Sequence, residues 1–249
     1  MKIILFGCNG YMGKVVTTIV DSDLDAIIVA GVDINTEKNS DYPVFDKPPT
    51  EAYGADVIID FSIPQALEGL LAFGLENKLP LVLCSTGYSQ EQIVKIEKAS
   101  KTIPIFRSAN MSIGINLLID LVKRACAVLG EEFDIEIIER HHKRKVDAPS
   151  GTALMLADAA KDSLSYEAEY IFERESVRKP RNKNDIGIST VRGGTIVGVH
   201  DVIFAGQHEV VELKHTAESR DVFAIGAIRA AKFMVGKSPG LYNMSDIIS

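Results

Sequence analysis

Lys2-Ile-Ile-Leu-Phe6 runs without interruption into Gly7-Cys-Asn-Gly-Tyr-Met-Gly13, and a helical pattern follows over Tyr11 to Asp21. A short isoleucine-rich run ending on glycine reads as a buried strand. The glycines permit a tight turn and let the main chain come close to a pyrophosphate. The helix start then offers free N–H groups and a positive dipole to that anion. Asn9 is expected to tolerate the left-handed conformation that another glycine would supply. A glycine loop alone is weak evidence, because many such turns only pack a strand on a helix. Here the context agrees: a strand before, a helix after, and Asp33 twenty residues past Gly13 at the end of a second apolar run, Ala26–Asp33. That acid is placed to bond the adenosine ribose hydroxyls of a dinucleotide.

The alternation continues outward. Val57–Phe61 reads as a strand, Pro64 to about Asn77 as a helix opened by proline, Leu81–Cys84 as a strand, Ser89–Lys101 as a helix and Ile105–Arg107 as a strand. Strands alternating with helices imply a parallel sheet covered on both faces and joined by right-handed crossovers. The fold class is therefore α/β, with a Rossmann-like doubly wound domain first. Asp60-Phe61-Ser62 and Cys84-Ser85-Thr86-Gly87 fall at the carboxyl ends of strands, where ligands of open α/β sheets bind. Serine, threonine and glycine are also ordinary turn residues. Cys8 and Cys84 read as small residues in tight turns and not as nucleophiles.

The pattern changes after Asn110. Ile113–Leu129 is a long apolar helix, Phe133–His142 alternates like a half-buried strand, and Ser150–Leu164 is a helix opening on Ser-Gly-Thr. Ile186–Val191, Ile196–Phe204 and Glu209–His215 are strands close enough, with glycine turns between them, to suggest antiparallel hairpins. Tyr166–Asp185 reads as a polar surface loop, and Arg220 to about Val235 as a closing helix. This gives a second α+β domain with a mixed or antiparallel sheet. The expected division is 1–112 with 220–249 for dinucleotide binding, and 113–219 for substrate binding and oligomerisation.

Composition narrows the function. The chain has 249 residues, 46% hydrophobic and 24% charged, and a net charge of −7. That balance argues against nucleic-acid or anionic-membrane partners. Three cysteines at 8, 84 and 126 fit neither a disulfide framework nor a zinc site, so a reducing compartment is expected. The opening residues lack a signal-peptide core, and the apolar runs are too short to span a bilayer. A soluble cytoplasmic protein is expected.

The densest polar constellation is Glu139-Arg-His-His-Lys-Arg-Lys-Val-Asp-Ala-Pro-Ser-Gly-Thr152. It brings acid–base groups, a cationic run and an anion-binding helix start together, which suits a small substrate with more than one carboxylate. The plain alternative is a solvated basic loop before an ordinary serine cap. That alternative is as good as function for Lys143 and Arg144, while His141 and Lys145 favour function. Adjacent histidines point apart on a strand, and no further ligands complete a metal site. His200, His208 and His215 read as surface or satisfied core histidines. Arg220 could reach a ligand or cap a loop.

The run HHKRKVDAPSGTA closely resembles the signature of the dihydrodipicolinate reductase (4-hydroxy-tetrahydrodipicolinate reductase) family. The resemblance spans essentially the whole chain, through Arg192-Gly-Gly194, Gly198-Val-His200, His215-Thr-Ala-Glu-Ser-Arg220 and Gly240-Leu-Tyr-Asn-Met244. It implies NAD(P)H-dependent reduction of a cyclic unsaturated dicarboxylate to tetrahydrodipicolinate in lysine and diaminopimelate biosynthesis. It implies catalytic roles for His141 and Lys145. Substrate contacts fall to His142, Ser150, Gly151 and Thr152. Cofactor contacts fall to Gly7, Cys8, Asn9, Gly10, Tyr11, Met12 and Asp33, then to Cys84, Ser85 and Thr86, then to Ser108, Ala109, Asn110 and Met111. It also implies a homotetramer assembled through the second domain's sheet. Tyr11 stands where arginine is usual and Cys84 where glycine is usual. With Asp33 repelling an extra phosphate and Lys38 the nearest cation in the sequence, NADH is expected over NADPH. Cations around Lys145 are expected to lower its pKa, and the domains are expected to close about Asn110–Gly114 and Arg220. Two alternatives share parts of the pattern. Another two-domain NAD-dependent dehydrogenase shares the glycine loop but does not explain the His-His-x-x-Lys and Ser-Gly-Thr pairing. A non-catalytic dinucleotide sensor would have lost His141, Lys145 or Thr152.

Overall fold

The computed structural model describes residues 1–248. In chain order the first stretch forms β1 (Lys2–Phe6), α1 (Tyr11–Asp21), β2 (Ile27–Val32), β3 (Val44–Phe45), β4 (Val57–Asp60), α2 (Leu67–Asn77), β5 (Leu81–Leu83), α3 (Gln90–Ser100) and β6 (Pro104–Arg107). Then follow α4 (Ile113–Leu129), β7 (Asp134–His141), α5 (Gly151–Lys161), β8 (Glu169–Ile171), β9 (Asp185–Arg192), β10 (Gly198–Ala205) and β11 (Val210–Ala217). The chain ends with α6 (Asp221–Met234), β12 (Gly240–Tyr242) and α7 (Ser245–Ile248). Two compact units result: Met1–Ile113 with Asp221–Ser249, and Gly114–Arg220.

The first unit holds a seven-stranded parallel sheet in the order β12-β6-β5-β4-β1-β2-β3. Its central strands are near-continuous apolar runs because both faces are covered. Ile3, Leu5, Val57 and Ile59 pack on one side with Val16 and Val20 of α1 and Ala227 and Ile228 of α6. Ile4, Phe6 and Ile58 pack on the other with Leu70 and Phe73 of α2 and Ile96 of α3. Strand order reverses between β1 and β4, which creates a crevice at their carboxyl ends. This is the Rossmann-like doubly wound arrangement.

The second unit holds a five-stranded mixed sheet in the order β11-β10-β7-β9-β8. Alternation in β7 sends Ile135 and Ile137 into a core with Leu118 and Val122 of α4 and Leu156 and Ala157 of α5. By the same parity Glu139 and His141 lie on that inner face and are buried. The expected β9–β10 hairpin does not form. β9 pairs in parallel with β7 and β8, and β10 lies antiparallel between β7 and β11. The Arg192-Gly-Gly194 segment is a turn whose strands go to opposite sides of β7, and only β10–β11 is a hairpin. Glycine turns report a local bend, whereas strand order is set by which buried faces must meet. The Tyr166–Asp185 segment contains β8 and is pinned by ions. Arg174 reaches Asp185 at 3.0 Å and Glu136 at 2.7 Å, and Arg181 pairs with Asp134. Among the described residues no helix is long and apolar enough to cross a membrane.

Candidate active site and family

In the first unit Gly7 has φ +74° and donates its N–H to Val32 O at 2.8 Å. A Cβ there would sit 2.6 Å from the Phe61 carbonyl, so side chains are excluded on both grounds. A Cβ on Gly13 would fall 2.1 Å from Gly7 O, which explains how α1 starts so close to the strand. Asn9 is not left-handed, contrary to expectation; Tyr53 and Lys78 are the non-glycine residues with positive φ among those described. Asn9 instead stitches the glycine loop to the segment after β2. Its N–H donates to Asp33 Oδ2 at 2.9 Å, and its side-chain amide donates to Asn35 O at 2.6 Å and Glu37 O at 2.9 Å. The conformation of Asn9 is thus held by bonds to the loop after the second strand, with no left-handed residue needed.

A hollow of about 550 Å³ opens at the strand-order reversal, lined by Gly7, Gly10, Asp33, Ile34, Phe61 and Ile63 among others. Asp46 and Lys47 also line it. Lys47 is a cation that distance along the sequence did not associate with Asp33. Beside the hollow, Asp60 is buried at the end of β4. It accepts hydrogen bonds from Ser62 N at 2.9 Å, Ser62 Oγ, Ser85 Oγ at 2.9 Å and Tyr88 Oη at 3.3 Å. Burial raises its pKa against those donors. Asp60 thus ties together the loops after β4 and β5. Cys84 leaves β5, and burial pushes its thiol pKa up, with Asp60 adding to the effect. Burial pushes Cys8 up to about 11. Neither thiol is disposed to ionise as a nucleophile. Ser108 to Met111 leave β6, the neighbour of β5, with Ser108 Oγ donating to Asn110 O at 2.9 Å. The glycine loop, Asp33, Cys84–Thr86 and Ser108–Met111 therefore all follow carboxyl ends of strands in one sheet. A dinucleotide fits this edge: Gly10, just before the start of α1, is exposed where a pyrophosphate would approach, and Gly7, Gly10 and Asp33 line the hollow.

In the second unit the organising group is Glu139, with no exposed surface. Register places Thr190 of β9 on one side of it and His200 of β10 on the other. Glu139 Oε1 accepts from Ser150 N at 3.0 Å, Thr190 Oγ1 at 3.2 Å and Arg192 Nη2 at 2.7 Å. Oε2 accepts from Arg192 Nη1 at 2.7 Å and lies 2.6 Å from His141 Nδ1. Burial pushes the Glu139 pKa up, but Arg192, His141 and the Ser150 N–H overcome it and hold the acid at about 2. His141 is itself nearly buried, and that burial lowers its pKa against the pull of Glu139. Gly198 faces it, where a Cβ would stand 3.2 Å from Nε2.

Ser150 caps α5, its Oγ accepting from Ala153 N at 3.2 Å and lying 3.1 Å from His200 Nε2. A Cβ added to Gly151 would meet nothing within 4 Å, so packing does not explain the glycine at this helix start. Lys145 meets Asp147 at 2.8 Å and donates its N–H to His142 O at 3.1 Å. The neighbour the structure gives Lys145 is thus an acid, where the sequence argument counted only cations. His141, Ser150, Gly151 and the Lys145 loop gather round one helix terminus, and Arg192 bonds both Glu139 and the Asp147 carbonyl. His200 lies inside this cluster, 5.1 Å from the His141 ring between centroids. His208 stands in the exposed β10–β11 turn. Sequence reasoning left Glu139, Thr190, Arg192 and His200 without roles. Strand parity could have found Glu139, two places before His141 on the same face.

Residues 1–111 match the family described as dihydrodipicolinate reductase, N-terminus, and residues 114–248 match dihydrodipicolinate reductase, C-terminus. A 4-hydroxy-tetrahydrodipicolinate reductase of Clostridium tetani is 53% identical over 249 residues, covering 100% of this chain and 97% of that protein. One from Alkaliphilus oremlandii is 41% identical over 249 residues, covering 100% and 99%. A dipicolinate-bound dihydrodipicolinate reductase from Paenisporosarcina sp. TG-14 has the same fold, with a TM-score of 0.84 at 22% identity, covering 100% of this chain and 99% of that one. A diaminopimelate dehydrogenase of Corynebacterium glutamicum is a more distant fold relative, with a TM-score of 0.56 at 15% identity over 98% of this chain and 92% of that one. On these matches, which run from one end of the chain to the other, the protein belongs to the dihydrodipicolinate reductase family.

Proposed function

We propose that this chain catalyses the NAD(P)H-dependent reduction of 4-hydroxy-tetrahydrodipicolinate (dihydrodipicolinate) to tetrahydrodipicolinate, a step of lysine and diaminopimelate biosynthesis. The observation that carries the reading is the full-length identity with reductases of that name. Residues 7–12, Asp33, 84–86 and 108–111 would hold the nicotinamide dinucleotide, which supplies the hydride when bound. The N-terminus of α5, at Gly151 and Thr152, would grip a substrate carboxylate through main-chain N–H groups and the helix dipole. His142 completes the substrate contacts, and Ser150, whose N–H and hydroxyl are engaged with Glu139, His200 and the Ala153 N–H, sets the terminus beneath them. Reduction of the ring calls for a proton at the neighbouring carbon. Lys145 is the donor in this reading, and His141 is the acid–base group working through Nε2. Among the described residues no three of the His, Cys, Asp and Glu side chains are grouped to hold a metal ion.

NADH is the preferred cofactor in this proposal. Asp33 and Asp46 set two carboxylates against the single ammonium of Lys47 in the hollow's lining, a poor setting for an added phosphate. Asp33 also receives the Asn9 and Asn35 N–H groups, which orients it. A cytoplasmic homotetramer accompanies the proposal, assembled through the face of the second sheet turned away from α4 and α5. Supporting that, Val191 and Val210 are exposed on this face, which also carries an Arg140–Asp201 pair at 2.8 Å whose acid is buried. The test is nicotinamide oxidation followed at about 340 nm, with substrate made in situ and NADPH as comparator. Turnover with a higher kcat/KM for NADH is expected. No consumption of either nucleotide would overturn the activity, and a higher kcat/KM for NADPH would overturn the preference.

A further inference from the structure

We infer that Glu139 is a positioning residue with two outputs: it fixes which ring nitrogen of His141 carries the proton, and it anchors the helix terminus that receives the substrate. The inference rests on the proposed reductase reading of the same site. The first output follows from the carboxylate's inventory. Five donors converge on two oxygens: the Ser150 N–H, the Thr190 hydroxyl, two Arg192 nitrogens and the His141 ring. An ionised carboxylate can only accept. His141 Nδ1 must therefore carry a hydrogen, and the lone pair of the neutral ring falls on Nε2. When Nε2 takes a proton, the carboxylate at 2.6 Å already faces the resulting imidazolium. Arg192 is the fixed counter-charge that keeps the buried acid ionised while the ring changes state.

The second output runs through Ser150, the residue before Gly151. Its N–H is held by Glu139, while its hydroxyl lies between His200 Nε2 and the Ala153 N–H. Both of its polar groups are fixed by buried side chains. His200 is kept neutral by its burial, with the neighbouring His141 acting in the same direction, at a pKa of about 4. The start of α5 is thereby set relative to the imidazole through one carboxylate, which is how an acid–base group and an anion grip keep a common geometry.

Glu139→Gln separates the outputs. The amide oxygen can still accept from Ser150 N, Thr190 Oγ1 and Arg192 Nη2, which leaves the amide nitrogen toward His141 and costs the bond from Arg192 Nη1. A donor at that place requires Nδ1 to accept, and the ring proton moves to Nε2. The expected result is a kcat lower by about a hundredfold or more, with the dissociation constant for pyridine-2,6-dicarboxylate within about threefold of wild type. In long-range proton–nitrogen correlation spectra of the whole protein, His141 should show an Nδ1–H tautomer, assigned by its loss in His141→Asn. It should switch to Nε2–H in Glu139→Gln. The wild-type spectrum requires no variant to fold beyond that assignment, and an Nε2–H tautomer there would overturn the inference. So would an unchanged kcat in Glu139→Gln. Loss of both outputs together in Glu139→Gln, with kcat and dicarboxylate binding falling alike, would also overturn it, because the amide oxygen is argued to preserve the second. Absence of reductase turnover in wild type would sink the reading beneath it while leaving the tautomer result intact.

Discussion

Each unit contains a buried carboxylate near the carboxyl end of a strand, Asp60 in one and Glu139 in the other, and the two are satisfied in different ways. Asp60 at the end of β4 is bonded by hydroxyls of Ser62, Ser85 and Tyr88 and by one N–H, and its pKa is raised by burial. Glu139 near the end of β7 is bonded by a guanidinium, an imidazole, an N–H and a hydroxyl, and its pKa falls to about 2 despite burial. Hydroxyl partners can turn round and accept, so the loops round Asp60 tolerate a change in its protonation. Arg192 and the Ser150 N–H cannot, so the cluster round Glu139 tolerates only an acceptor. The first arrangement suits loops that shape themselves to a cofactor. The second suits a site whose proton positions must not drift.

The largest contrast should appear on truncation. Glu139→Ala leaves Arg192 and the Ser150 N–H without their partner, and a loss of about 3–5 kcal/mol in denaturant unfolding is expected. Asp60→Ala should cost about 1–3 kcal/mol, chiefly through the orphaned Ser62 N–H. Equal losses would break the comparison.

Acid titration sharpens it. The unfolded chain protonates Glu139 near 4.5, whereas the folded chain does so near 2. The stability Glu139 contributes is thus complete above 4.5 and lost as pH falls toward 2, about 3 kcal/mol in all. His200 adds a loss of the same order at milder pH, because the unfolded ring takes a proton near 6.5 and the folded ring only near 4. Asp60 acts with the opposite sign, since its raised pKa makes the folded state the better proton binder in acid. Unfolding curves from pH 7 to pH 3 should therefore fall less steeply in Glu139→Gln than in wild type. A parallel fall would contradict the assignment.

The smallest effect expected is for Asp60→Asn. Its amide can donate to the Ser85 and Tyr88 oxygens while its carbonyl keeps the Ser62 N–H, so a change within about 1 kcal/mol is predicted by thermal or denaturant unfolding. A loss as large as that of Glu139→Ala would mean that Asp60 needs its charge.

The legibility of the sequence follows the same division. The glycine loop, Asp33 and the alternating first unit are readable because each is a local signal: a strand, a turn and a helix within a few dozen residues. The His141–Lys145–Gly151 run is readable for the same reason. Arg192 reads from sequence only as part of a glycine turn and a family motif, since its partner Glu139 lies 53 residues away in sequence and across a parallel pairing that turn signals do not reveal. Lys47 entered the hollow beside Asp33 through β3, a strand too short to show a period. Residue type shows only that Asn9 is permitted to be left-handed, whereas its actual bonds run to a loop about 26 residues on.

In the proposed reaction the Lys145 amine delivers a proton beside a helix terminus that holds the substrate acid. The direct test of that delivery is steady-state nicotinamide oxidation by Lys145→Ala and Thr152→Ala, with pyridine-2,6-dicarboxylate binding measured alongside. Loss of the half-exposed Lys145–Asp147 pair has little effect on folding, so the lysine variant reports on chemistry. A kcat lower by about 10²–10⁴ is expected in Lys145→Ala with dicarboxylate binding near wild type, and a raised KM with kcat largely kept in Thr152→Ala. An unchanged kcat in Lys145→Ala would contradict the proposed proton delivery.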